Sequence, residues 1–206
     1  MALNKNSNMI VGLDIGTSKV VCIVGKYNNE NKLEIVALGA YPSSGLKKGV
    51  VVNIDATTDA ISKAVEQAQS MIEEKIKSVF VGIAGNHIKS LNSQGAVGIR
   101  DKEVTSYDID RVIDSAQAVS IPSDQRVLHV LPQEFVIDGQ EVSLDPLGMS
   151  GVRLEAKVHL VTCANSAIKN IEKCIKNCGL SVDGFVLEQL ASSHSILSSD
   201  EKDLGV

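Results

Sequence analysis

Apolar and polar positions along this chain fall into short segments whose period separates strands from helices. Residues 9–16, MIVGLDIG, form an apolar run closing on glycine, and KVVCIVGKY after it is a second run, rich in valine. The tight join predicts two paired strands. NNEN at residues 28–31 is a turn cluster, and KLEIVALGAY from Lys32 predicts a third strand, completing a meander. A helix is predicted from Asp55, which is placed to cap it, with Ile61, Ala64, Val65, Ala68, Met71 and Ile72 on one stripe. SVFVGIA at residues 78–84 predicts a fourth strand, and strand–helix–strand order makes it parallel to an earlier one.

The pattern changes over residues 85–163. HIKSLNS and AVGIR predict two strands, a helix starts at Ser106, and QRVLHVLPQEFVI and GVRLEAKVHLVTC predict two more strands. Thr105 is placed as the N-cap, with Asp108 three residues on, and Ile109, Val112, Ile113, Ala116 and Val119 form the buried face. In the last strand Val152, Leu154, Ala156, Val158 and Leu160 share one side, and Arg153, Glu155, Lys157 and His159 share the other, which is predicted to be wet. Such a sheet suits a docking module and equally an ordinary two-layer domain.

Beyond this stretch, Asn165 is placed to cap a helix that buries Ile168, Ile171, Ile175 and Cys178, and Gly179 closes it in the left-handed position. SVDGFVLE predicts a fifth core strand, LASSHSIL a helix, and EKDLGV the start of another strand. With residues 85–163 set aside, the order β-β-β-α-β-α-β-α resembles the ribonuclease-H-like lobe of the actin, Hsp70 and sugar-kinase superfamily. The fold class expected is therefore α/β: an actin-like lobe at residues 1–84 and 164–206, carrying an inserted small α+β interaction domain at residues 85–163.

Composition narrows the function. Hydrophobic residues make up 44% of the 206 and charged residues 22%, a globular balance. The formal net charge is -5 and there is no dense Lys/Arg cluster, which argues against nucleic acid as a partner. The longest apolar run, around residues 9–15, is broken by Gly12 and Asp14, so no spanning helix is expected. MALNKNSN at the start lacks the apolar core of a signal peptide, and a cytoplasmic protein is expected. Cys22, Cys163, Cys174 and Cys178 sit in apolar strands and helices, as buried thiols rather than disulfides.

Chemistry concentrates in LDIGTSK, residues 13–19, which joins the first two strands. Glycine at 16 lets backbone approach an anion, Thr17 and Ser18 add donors, Lys19 adds charge, and Asp14 would face Mg²⁺ through water. An ordinary hairpin turn is the competing reading. His129 and His194 lie within apolar patterns and read as packed, not catalytic. Cys174 and Cys178 are one helical turn apart, but no third metal ligand is evident.

IVGLDIGTSKVVCIVG, VGIAGNHI, RVLHVLPQEF, DPLGMSGVRLEAKVHLVTC, KNIEKCIKNCGL and LASSHSIL before DEKDLGV follow one another as in the FtsA family of bacterial division proteins. The chain resembles that family through almost its whole length. The resemblance implies that Asp14, Gly16, Thr17, Ser18 and Lys19 form phosphate loop 1 of an ATP and Mg²⁺ site, and that residues 85–163 are the family's inserted domain. Glu188 stands where Hsp70-like relatives carry an acidic or amide residue near Mg²⁺; the simpler reading is a helix-start glutamate favoured by the dipole.

Further implications concern the full-length protein: a non-enzymatic, self-polymerising scaffold that links FtsZ filaments to the inner membrane. It would recruit later division proteins, such as FtsN through its cytoplasmic tail, by residues 85–163. The second phosphate loop, the adenosine-contacting glycine motif, the FtsZ-docking surface and a membrane-binding amphipathic helix are expected beyond Val206. This N-terminal portion is thus expected to bind ATP weakly or not at all, and to reach the cytoplasmic face of the membrane only through the absent helix. The alternatives are a PilM-like actin-fold assembly adaptor or another ATPase of the superfamily.

Overall fold

The computed structural model describes residues 9–142 and 145–205; the N-terminal MALNKNSN and Val206 lie outside them. In chain order the elements begin with β1 (Met9–Ile15), β2 (Lys19–Tyr27), β3 (Leu33–Pro42), β4 (Leu46–Lys47), β5 (Val50–Val51), α1 (Ile54–Gln69) and β6 (Ser78–Ile83). They continue with β7 (Ile88–Gly98), α2 (Ser106–Gln117), β8 (Gln125–Ile137), β9 (Gln140–Val142) and β10 (Arg153–Ala164), then α3 (Asn165–Asn177), β11 (Ser181–Leu187), α4 (Glu188–Ile196) and α5 (Ser199–Leu204). Two compact units result, one of residues 1–87 with 166–206 and one of residues 88–165.

The first unit is built on a five-stranded sheet of order β11-β6-β1-β2-β3. Short turns make β1, β2 and β3 an antiparallel meander, whereas β6 runs parallel to both β1 and β11. Val11, Leu13, Val20, Cys22, Val24 and Val81 alternate onto one buried face, and α1 packs across β2 and β3. Gly39 of β3 is what allows this approach: a Cβ there would run into the Ala64 carbonyl of α1. Beside α1 lies α3, whose Cys174 thiol donates to the Ile54 carbonyl; Cys178, expected inside this helix and buried, is half-buried just past its end and donates to the Thr58 carbonyl. On the opposite face Ile23, Leu33, Ile35 and Leu38 remain exposed.

Two helix starts differ from expectation. Asn53, not Asp55, caps α1: its extended backbone lets its side chain accept the Ala56 N–H at 3.0 Å, while Asp55 is already in the first turn, where its charge suits the dipole. Asn165 is the first residue of α3, and its amide donates outward to the Ser123 carbonyl at 3.1 Å instead of capping. Met71 lies past the end of α1 and is exposed. The strand expected from EKDLGV is the helix α5, because Ser198 and Glu201 form a reciprocal capping box and Gly205, at φ 80°, ends it.

The second unit is a four-stranded antiparallel sheet of order β7-β10-β8-β9 with α2 against one face. Leu154, Ala156, Val158 and Leu160 of β10 are buried with Val112 and Ala116 of α2 and Phe135 of β8. Val152, just before β10, is exposed rather than part of this row. The two strands expected over residues 87–100 are one continuous β7, paired with β10 from Ile88↔Cys163 to Gly98↔Arg153. Gly95, which reads as a break, instead makes room for the helix: a Cβ there would strike the Val112 carbonyl and the Ala116 N–H.

Candidate functional site

Parallel strands gather chemistry at their carboxyl ends, where ligands of open α/β sheets bind. In the first unit the register sets Leu13 of β1 level with Val81 of β6, and Gly82 of β6 level with Val186 of β11. Asp14 on β1 and Glu188, the first residue of α4, therefore flank Gly82 from either side. Glycine in mid-strand keeps the lane open, since a Cβ on it would stand 3.0 Å from Glu188 Cγ. Glu188 lies close enough to Asp14 for the two carboxyls to interact. Burial, then the Asp14 charge, then hydrogen bonding to Asp14 push the Glu188 carboxyl up to about 7, against the pull of the α4 dipole.

The turn from β1 to β2 lies at the same end. Gly16 donates its N–H to the Lys19 carbonyl at 3.0 Å, and a Cβ on Gly16 would stand 2.9 Å from that oxygen, so the turn requires glycine. That N–H is thereby consumed by the turn and is not free for an anion, which narrows the cradle expected from the sequence. Thr17 and Ser18, both exposed, keep N–H groups that make no bond among the described residues. From behind, the Ser43 N–H donates to the Ser18 carbonyl at 2.9 Å and fixes the loop. Lys19, exposed, opens β2 opposite Pro42 of β3.

Elsewhere the chemistry is quieter. His194 is exposed on α4, a helix with no buried residue, so it is not a packed histidine. His129 is half-buried, and burial holds its imidazole below the ordinary range. The four cysteines are free, and burial pushes the Cys22 thiol up to about 11, keeping it unreactive. Among the described residues no group of three or more His, Cys, Asp or Glu side chains could hold a metal ion, and no helix is long and apolar enough to cross a membrane.

A family described as the SHS2 domain inserted in FtsA matches residues 85–162. Over all 206 residues the chain is 62% identical to the cell division protein FtsA of Pseudomonas aeruginosa, and it covers 49% of that protein. It is 50% identical to FtsA of Neisseria meningitidis over 99% of the chain and 49% of the relative. The chain belongs to the FtsA family. It spans about half the length of these curated FtsA relatives. A chain of the PilM–PilN type IV pilus biogenesis complex superposes on 90% of it, and on 49% of that chain, with a TM-score of 0.61 at 14% identity. This likeness is one of fold, actin-like with an SHS2 insertion; the sequence identity lies with FtsA, so the PilM-like alternative is not favoured.

For an FtsA-family chain the question is whether these residues suit ATP and Mg²⁺. Magnesium is commonly held by one or two carboxylates together with phosphate oxygens and water, and the Asp14–Glu188 pair suits that mode rather than an all-protein cage. Two adjacent free N–H groups, two hydroxyls and a lysine suit phosphate oxygens. Sequence reasoning missed Gly82, although a lone glycine inside SVFVGIA is a signal of close approach.

Proposed function

We propose that this chain supplies the first-lobe half of an ATP and Mg²⁺ site in a bacterial division scaffold of the FtsA type. The observation that carries the reading is the convergence of Asp14, the Gly16–Lys19 turn and Glu188 at one sheet end, in a chain of this family. Thr17 and Ser18 N–H groups and Lys19 would bind phosphate oxygens, and Asp14 with Glu188 would hold Mg²⁺ water. Bound magnesium would supply charge neutralisation between phosphates. Ionised, both carboxylates accept; with a proton on Glu188, the pair is held by its own hydrogen bond.

In the full-length protein this nucleotide site would serve a self-polymerising scaffold rather than an enzyme, one that links FtsZ filaments to the cytoplasmic face of the inner membrane. Recruitment of later division proteins is assigned to residues 85–163. Its support is the solvent-facing side of β7, β10 and β8, where Lys157 pairs with Glu134 at 2.9 Å and Gln94 donates to Glu155 at 2.6 Å. These cross-strand pairs present a polar surface to a peptide.

Fluorescent-ATP binding with Mg²⁺ tests the nucleotide reading. It is measured on this chain and on a version extended by the following half of its FtsA relatives. Binding by the extended protein alone, weakened by Lys19→Ala, is expected; equal tight binding by both overturns the split site, and indifference to Lys19→Ala overturns the loop. Titration with the FtsN cytoplasmic tail tests recruitment, and absence of any binding removes it.

A further inference from the structure

The hairpin of β4 and β5 has no role in the function described so far. Its turn is Lys48–Gly49, and Lys48 is a non-glycine residue in the left-handed region, at φ 51°. Such a conformation is uncommon for lysine and persists where the surroundings fix it. The surroundings here are the carboxyl end of β6. A Cβ on Gly49 would strike the Ala84 carbonyl, and one on Gly85 would stand 3.1 Å from the Lys48 carbonyl and 2.8 Å from the His87 ring. Two glycines thus let two backbones touch, and the turn is seated on the residues that follow β6.

The same strand end borders the carboxylate pair. Ala84 lies two residues beyond Gly82, ~7 Å along the strand, and Gly82 is in contact range of Glu188. Lys48 is exposed, its carbonyl lies beside Gly85, and its neighbour Gly49 abuts Ala84, so its side chain starts from the strand end that borders the pair. Charge supplies the reason. Even with Mg²⁺ and Lys19 counted, a phosphate chain beside Asp14 keeps net negative charge, which a second cation offsets.

We propose that Lys48 is a phosphate-contacting residue, delivered to the Asp14–Glu188 end of the sheet by the β4–β5 turn, which is seated on Ala84 and Gly85. The inference rests on reading Gly16–Lys19 as a phosphate loop. It adds that the hairpin takes part in the site.

Magnesium tripolyphosphate titrated into this chain, followed by amide NMR, separates the two ideas, because millimolar concentrations can be reached. Expected are shifts at Thr17, Ser18, Lys48 and Gly49 that saturate with one Kd. Lys48→Asn, a residue that tolerates the left-handed region, is expected to raise that Kd about tenfold, the scale of one hydrogen bond to a charged group. Lys47→Asn, at the end of β4 beside the turn, is expected to change it less than about twofold, as a screened surface charge does. Equal effects from the two variants overturn the assignment to Lys48 while leaving the loop intact. Shifts confined to Thr17 and Ser18 do the same, and no shift at any of the four overturns both readings. Unchanged β6 amide shifts in each variant check the fold, and Lys48→Gly serves if Lys48→Asn disturbs it.

Discussion

Asp108 is only 2% exposed, yet its carboxyl is held below the usual range. The Thr105 hydroxyl, donating at 2.7 Å, outweighs burial, and the Thr105 N–H and Arg111 guanidinium, each at 3.2 Å, add to it. A carboxyl whose folded pKa is depressed stabilises the fold above its unfolded value, near 3.8, and loses that contribution as pH falls through the folded value. Urea unfolding should therefore show Asp108→Asn less stable than the wild type at pH 7, with the gap closing as pH falls below the unfolded value of 3.8 and through the lower folded one. A gap that does not change with pH would mean that the aspartate acts by shape alone. The capping box was legible in the sequence because its signal is local, Thr105 and Asp108 three apart. The Asp14–Glu188 proximity was not, since it depends on strand register, and Gly82 signals a close approach without saying to what.

Elements were legible where their period was unbroken. The stripe Leu154, Ala156, Val158, Leu160 gave β10 its buried face without ambiguity, and Ile168, Ile171 and Ile175 did so for α3. Glycine is where reading failed, because it carries two meanings. In β7 the polar SQG segment looks like a turn, but Gly95 is a contact glycine on which α2 rests. Gly95→Ala should cost ~1–3 kcal/mol, as overpacking does, measured as a lower unfolding free energy, and it should shift α2 resonances. No loss of stability would show that α2 can lift off the sheet at little cost. Similarly, DEKDLGV begins with helix-capping chemistry and ends in an apolar pair. The capping box of Ser198 and Glu201 decides the structure there, because its two reciprocal hydrogen bonds outweigh the exposed Leu204 side chain.

At the scale of the molecule, the two units differ in how the chain builds them. Residues 88–165 are continuous, and among the described residues β7, β8, β9 and β10 pair with one another while α2 closes their core. Excised alone, they should give dispersed amide spectra and one cooperative unfolding transition; a collapsed, poorly dispersed spectrum would count against their independence. The first unit is assembled from both sides of that stretch: β6, ending at Ile83, pairs with β11, which starts at Ser181. On a ribosome β6 therefore emerges with one edge unpaired and must wait for β10 to be made and then α3. Between Ala164 and Ser181 alone, synthesis at ~5–20 residues per second takes about one to three seconds. Vectorial synthesis thus imposes an order, with the later-starting unit maturing first and the earlier one held as an open-edged intermediate, the species on which a chaperone or a stalled translation complex would act.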